Sequence, residues 1–483
     1  MRRACTISRL AGVLVGLVAA VAAVAQSTEP ESRPADSQPA ETQSATQPTS
    51  APATRPASGP TTAPTTTAAS APATATATTT TQAAEKPKDR YLAVIGGRVH
   101  TVAGPVLEKA TVLSKNGVIT AIGVDVQLPQ DCQVVDAAGC DVYPGLIAAV
   151  SSGIHGGDDP RDTTNVYSTN MAVALAAGIT TALTGNTASK LTFGTTEDLL
   201  LRQGVFVELQ YSRRSPIERA QLVADLERVR GYLRDSEKFE REKQTDPNAK
   251  PPDKEWLSGK YETYRKLLTG EAIAVISAGL MQDCLDAAHL AGRFGFKLTL
   301  RGAYEGWIVA SELGRAGVGA IITPRAEVAE NREANRPTGS TIENARILYE
   351  RGVPLAVVPP TTSILYWGVG GRDLLHLNLE AAFTVRGGLS NEDALRTLTI
   401  GAARVLGLDH RVGSLEVGKD ADLVVADGDI LHYMTQVRYT IVNGRVAYDK
   451  AKDTLFAHIR PEGQRDQVPR FDDIWPRRLE WRE

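Results

Sequence analysis

Any chemistry in this 483-residue chain must rest on few imidazoles, since there are seven histidines. His155 stands in Gly153-Ile154-His155-Gly156-Gly157-Asp158-Asp159, with Asp162 just behind. Imidazole and carboxylate together suit many divalent cations, so this loop is a candidate displaced metal site. The competing reading is a plain turn, because Gly-Asp-Pro clusters commonly build turns and adjacent aspartates point apart. His376, in Leu374-Leu375-His376-Leu377, is the other histidine placed to face a pocket. His289 lies within a helical run, and His100, His410, His432 and His458 fall away from the candidate site. Ser152, Ser277 and Thr323 follow strand-like runs, but no histidine or carboxylate is visibly paired with them, so a hydroxyl nucleophile would lack its base. Arg301 brings a permanent charge whose fork suits carboxylate or phosphate. Its alternative is an internal ion pair, with Glu305 as one nearby acid.

The elements that must position these residues have a regular rhythm. Met171–Ala177, Asp283–Arg293 and Glu305–Arg315 read as helices. Each stops at or near a glycine (Gly178, Gly295, Gly317) and leads into a β-branched run. Ser340-x-x-Glu343 reads as a capping box for a helix ending near Arg351 and Gly352, before the strand Pro354–Val358. Repeated helix–strand alternation implies parallel strands with crossover helices, either as a barrel or as a doubly wound open sheet. Both ends differ: Asn116-Gly117 and Asn443-Gly444 each sit between short β-branched runs, as tight hairpins require. In a barrel, chemistry sits at the C-terminal strand ends. Those ends are Val150-Ser151-Ser152, Ser277-Ala278-Gly279, Arg301, Thr323-Pro324 and Pro359-Pro360, which carry no His, Asp, Glu or Cys.

The rest of the chain bounds its class. Arg2, Arg3 and Arg9, the apolar run Leu10–Ala25 and Ala23-Val24-Ala25 read as a secretory signal over 1–26. Residues 27–88, mostly Thr, Ala, Pro and Ser, cannot bury enough apolar surface to fold and read as a disordered linker. A net charge of −3 gives no basic surface for nucleic acid. Cys132, Cys140 and Cys284 would remain after signal removal, too few for a disulfide framework. Within a charged helical insert at about 216–268, Leu222, Leu226, Val229 and Leu233 recur at helical spacing, so one face packs.

Pro144-Gly145-Leu146-Ile147 resembles a segment of the amidohydrolase superfamily that continues Asp-x-His-x-His, where two histidines hold a catalytic metal. Here the aspartate position is Ala148 and the histidine positions are Val150 and Ser152. Thr399 to Gly407, Val412 to Val424 and Val442-Asn443-Gly444-Arg445-Val446 extend the resemblance toward imidazolonepropionase-type members. The resemblance implies an α/β fold: a TIM-like (β/α)8 barrel with a small β-sandwich domain formed by segments on both sides of it. It places Ser277, Gly279 and Arg301 at further histidine positions, and Pro360, or its neighbour Pro359, at the acid that takes the proton from water. Valine offers a metal no lone pair, and a neutral hydroxyl replaces imidazole poorly. By the same resemblance Lys419, Asp420 and Asp422 are structural.

The expected organisation is a signal (1–26), a linker (27–88), a composite β domain (89–143 with 411–450), a barrel (144–410) and a C-terminal tail (451–483). The expected function is an exported, periplasmic or extracellular amidohydrolase-fold protein, catalytically degenerate, acting in ligand binding or scaffolding. Its expected ligand is a small anion, with no cofactor, no nucleic acid and no integral membrane domain. The alternative is an active hydrolase of non-peptide C–N bonds, holding one or two divalent ions such as zinc on ligands elsewhere.

Overall fold

The computed structural model describes residues 89–157, 159–246, 249–329, 339–365 and 371–453. The expected signal and linker, Asp158 and all but the first three residues of the tail lie outside the described residues. No helix among the described residues is long and apolar enough to cross a membrane.

The chain opens with five strands: β1 (Tyr91–His100), β2 (Val106–Lys115), β3 (Val118–Gly123), β4 (Cys132–Asp136) and β5 (Asp141–Pro144). β1 pairs with β2 along its length, but on its other edge Tyr91–Ile95 pair with β4 and Arg98–Val99 with β5. The change of partner coincides with register shifts around Gly97, as at the corner of a folded sheet. A side chain at Gly97 would meet Val142 at 2.6 Å, so the corner needs glycine.

The middle of the chain supplies β6 (Leu146–Ser151), β7 (Ile179–Thr184), β8 (Thr187–Lys190), β9 (Leu200–Gln203) and β10 (Phe206–Glu208). It continues with β11 (Ile273–Ala278), β12 (Leu298–Gly302), β13 (Gly319–Ile322) and β14 (Leu355–Val357). β10 to β14 are all parallel and adjacent in chain order, and β6 is parallel to β7. The helices between them end where glycine takes a left-handed φ: +83° at Gly178, +75° at Gly295, +64° at Gly317 and +78° at Gly352.

The ring is not one uninterrupted ladder, which corrects the simple eightfold barrel. Between β7 and β10 the chain doubles back as the antiparallel strands β8 and β9, leaving two arcs. Side chain and backbone bridge the gaps. Asn186 accepts from the Phe206 N–H at 2.6 Å and donates to its carbonyl at 2.7 Å, while the Ser152 N–H donates to the Thr362 carbonyl at 2.8 Å. Both arcs face one apolar interior, made by Ile147, Ala149 and Leu183 from one and Ile273, Val275, Ile321 and Ala356 from the other. The helix Ile400–Leu406 forms its floor through Ala402, Val405 and Leu406.

Three last strands, β15 (Leu423–Ala426), β16 (Val437–Val442) and β17 (Arg445–Asp449), return to the first sheet. The result is one eight-stranded sheet in the order β17-β16-β15-β5-β1-β2-β3, with β4 beside β1. A single bent sheet therefore covers the core that two facing sheets were expected to cover. Alternation sorts its central strand: Leu423 and Val425 enter that core, while Val424 and Ala426 pack on the barrel side. Both Asn-Gly pairs form tight hairpins with positive φ, at +51° and +88° for Asn116-Gly117 and +50° and +63° for Asn443-Gly444.

Lys190, at the end of β8, is fully buried and locks arc to sheet. Its ammonium lies 2.7 Å from Asp420 and 3.0 Å from Asp422, and donates to the Asn443 side chain. Burial raises the Asp422 carboxyl above its ordinary value even beside this cation. Asp420 also meets Arg411 at 2.8 Å. The Gly413–Val424 stretch is thus an anchor for a buried lysine.

Two further expectations are modified. The helix after Ser340 begins only at Asn344, capped by Glu343 without a side-chain bond. The Ser340 hydroxyl accepts instead from the Val328 N–H at 2.9 Å across the loop, so no capping box forms. The charged insert is two helices, Pro216–Glu242 and Lys260–Leu268. They are joined by Lys260 on the buried Asp225 at 2.7 Å, with Leu222, Leu226 and Val229 on the packed face.

Candidate active site

Strand register decides what faces the mouth of the barrel. Ser277, Arg301, Ile321 and Ala356 are consecutive partners across β11, β12, β13 and β14. Ile321 and Ala356 line the interior, so Ser277 and Arg301 share that face at its C-terminal end. On β10 the same alternation puts Phe206 inside and Val207 outside, which turns Glu208 inward beyond them. Val150 packs against the same interior and Ser152, exposed, follows two residues on. Pro359 is buried and Pro360 exposed just past β14. The mouth therefore presents Val150, Ser152, Glu208, Ser277, Arg301 and Pro360. Glu208 escaped the sequence reading, although Val205-Phe206-Val207 before it has the apolar β pattern of a short strand.

Arg301 forms no ion pair among the described residues, and its Nε is buried without a hydrogen-bond partner. The pairing with Glu305 is corrected: that buried carboxylate accepts from the Met281 N–H at 2.9 Å, at the start of the helix Met281–Phe294. A helix N-terminus and a carboxylate are mutually favourable, which takes the acid from the arginine.

Gly279 faces a different constraint. A Cβ there would lie 2.9 Å from Cδ2 of the Tyr304 ring, which also lies against Gly302. The turn carrying Tyr304 is fixed by Ala303 N–H to Ala278 O at 2.7 Å and Glu305 N–H to Gly279 O at 2.9 Å. The space a larger residue at 279 would need is already filled by an aromatic ring.

Neither candidate histidine joins this set as a ligand cluster. His155 is buried, neither ring nitrogen has a hydrogen-bond partner among the described residues, and burial holds its pKa down at about 4. Asp159 is committed elsewhere, capping the helix Pro160–Thr163 and binding Arg161 at 2.8 Å, and Asp162 is exposed. The displaced site of His155 with Asp159 and Asp162 is therefore not assembled. His376 pairs through Nδ1 with the buried Asp373 at 2.7 Å, which fixes its ring and leaves Nε2 as its other nitrogen. His100 is bonded to Asp141 at 2.8 Å within the small sheet. Among the described residues no three His, Cys, Asp or Glu side chains come together as a metal site.

Beside the mouth, Arg325 follows β13 and reaches the fully buried Glu380 through Nε at 2.7 Å and Nη2 at 2.6 Å. Its guanidinium also bonds the Gly371 carbonyl and lies 4.6 Å from the Phe383 ring centroid. This clamp ties the loop after β13 to the helix Leu377–Arg386.

Residues 295–448 match the model of the amidohydrolase family. Short segments are similar to imidazolonepropionase of Thermoplasma volcanium, 28% identical over 115 residues, covering 23% of this chain and 27% of that protein. A second segment is similar to a 5-methylthioadenosine/S-adenosylhomocysteine deaminase of Symbiobacterium thermophilum, 39% identical over 72 residues, 12% of this chain and 16% of that one. The matches thus span about a quarter or less of these curated relatives. The solved amidohydrolase of Thermotoga maritima superposes with a TM-score of 0.57 at 21% identity, covering 74% of this chain and all of that one.

Residues 295–448 carry the amidohydrolase family match, and the chain shares the fold of a solved amidohydrolase. The shared fold is a TIM-barrel core with a small second domain, which agrees with the two facing arcs and the separate sheet. Amidohydrolases usually bind metal, and the residues at this mouth do not fit one: a single carboxylate, Glu208, stands among an apolar valine, two hydroxyls, a glycine packed by Tyr304, a fixed cation and a proline. An arginine repels a divalent ion where an imidazole would hold it.

Proposed function

We propose that this chain is an exported amidohydrolase-fold protein that has exchanged metal-assisted hydrolysis for the binding of a small anion at the barrel mouth. The observation that carries this reading is Arg301. It shares the register of the interior, has a buried Nε without a partner among the described residues, and brings a permanent positive charge to the mouth. A buried donor without a partner carries a desolvation penalty that a ligand oxygen would relieve. The Ser277 hydroxyl on the neighbouring strand supplies a second polar contact. Catalysis by Ser152 or Ser277 gains no support, since among the described residues neither hydroxyl is hydrogen-bonded to a histidine or carboxylate.

The test is isothermal titration with hexanoate and inorganic phosphate against wild type and Arg301→Met. A charge-assisted contact of about 1.5–3 kcal/mol predicts an affinity loss of roughly tenfold to a hundredfold in the variant. Equal binding by both proteins would place the anion elsewhere. Hydrolysis of cyclic or side-chain amides by the metal-supplemented protein would favour the alternative, an active C–N hydrolase.

A further inference from the structure

Arg301 is not the only unpaired charge at the mouth. Glu208 ends β10, turned inward by the alternation that buries Phe206 inside and sets Val207 outside, and it forms no ion pair among the described residues. One strand, β11, separates the two: Glu208 pairs with Val275, and Arg301 with Ser277 two residues further along. Adjacent strands lie about 4.8 Å apart, so the backbones that carry these charges are on the order of 10 Å apart. The Ser277 side chain, exposed, stands on the strand between them. Opposite charges facing one concavity would ordinarily close on each other; here they remain separate, and each lacks a counter-ion.

We propose that the mouth binds a zwitterion, with the carboxylate of the ligand on Arg301 and its ammonium on Glu208. The reading rests on the anion site above and adds a second, specificity-determining residue to it. A fixed anion and a fixed cation select against ligands carrying only one charge, because a lone anion leaves Glu208 unpaired and a lone amine leaves Arg301 unpaired. Charge separation in the ligand then matters: α-amino acids hold their charges too close to reach both groups, and ω-amino acids with a longer chain span the gap. The favoured class is an extended amino acid, or a short peptide presenting both termini.

Titration of full-length protein with hexanoate, hexylamine and the series from glycine through 6-aminohexanoate to 8-aminooctanoate tests this. Wild type should bind a medium-length ω-amino acid at least roughly tenfold more tightly than hexanoate, since the second contact is charge-assisted. Glu208→Gln should erase that advantage and bind hexanoate at least as tightly as wild type does, since the carboxylate that disfavours a lone anion is gone. Glu208→Lys should reverse it, so that adipate becomes the best ligand. Hexanoate bound through Arg301 with no gain from an amino group in any member of the series would overturn the zwitterion and leave the anion site standing. No binding of hexanoate or of any amino acid would overturn both. Because Glu208 is exposed, a changed thermal midpoint in its unliganded variants should be small, and a large one would show a structural role instead.

Discussion

The ring of Tyr304 occupies the space that a side chain at position 279 would need, with 2.9 Å between Tyr304 Cδ2 and an ideal Cβ on Gly279. Position 279, just past β11, and position 304, after β12, are therefore coupled by sterics. A larger side chain at 279 alone would meet the ring, because the ring is held by a turn bonded back to Ala278 and Gly279.

Gly279→Ala should accordingly destabilise the protein by about 1–3 kcal/mol, the usual range for overpacking. Combined with Tyr304→Ala it should add less than the sum of the single effects, since contacting residues couple. Urea unfolding of the double-mutant cycle measures this. Strict additivity would show that the ring moves freely and that Gly279 is not constrained by it.

Lys190→Met should be among the most damaging single changes, about 3–5 kcal/mol, because it leaves the buried Asp422 without its cation, while Asp420 keeps Arg411. Adding Asp422→Asn should recover part of the loss by removing one uncompensated charge. Chemical denaturation of the two variants checks it, and a mild effect of Lys190→Met would mean that water reaches these carboxylates.

The sign of one pH dependence follows from His155. The unfolded imidazole takes its proton near 6.5, whereas burial delays this to about 4 in the folded protein. Between those values the unfolded chain holds more protons, so stability falls as the pH drops from 6.5 to 4, by on the order of 3 kcal/mol from this group. The contribution levels off below 4. His155→Leu should flatten that part of the profile; an unchanged slope would assign it to other groups.

What was legible beforehand was what is local. Asn116-Gly117 and Asn443-Gly444 mark their hairpins because a two-residue turn depends on its own φ angles. Gly178, Gly295, Gly317 and Gly352 mark helix ends for the same reason. Non-local choices were hidden. Ser340 looked like a helix cap, but its hydroxyl is taken by Val328, twelve residues away. Lys190 carried no local signal of its role, since its two aspartates arrive from more than 200 residues later. Glu208 was missed because β10 is only three residues long, too short for alternation to show. Glu305 seemed a natural partner for Arg301 by proximity in sequence, yet the Met281 N–H holds it.

The prediction that a family relationship would most readily get wrong is metal content. Purified full-length protein, incubated with zinc, manganese or iron and then dialysed, should be assayed by inductively coupled plasma mass spectrometry. With Val150, Ser152, Ser277, Gly279, Arg301 and Pro360 at the mouth, we expect less than one equivalent to remain, with no change after His155→Ala or His376→Ala. A stoichiometric metal that survives dialysis would contradict this account, and its loss in either histidine variant would locate the ligands.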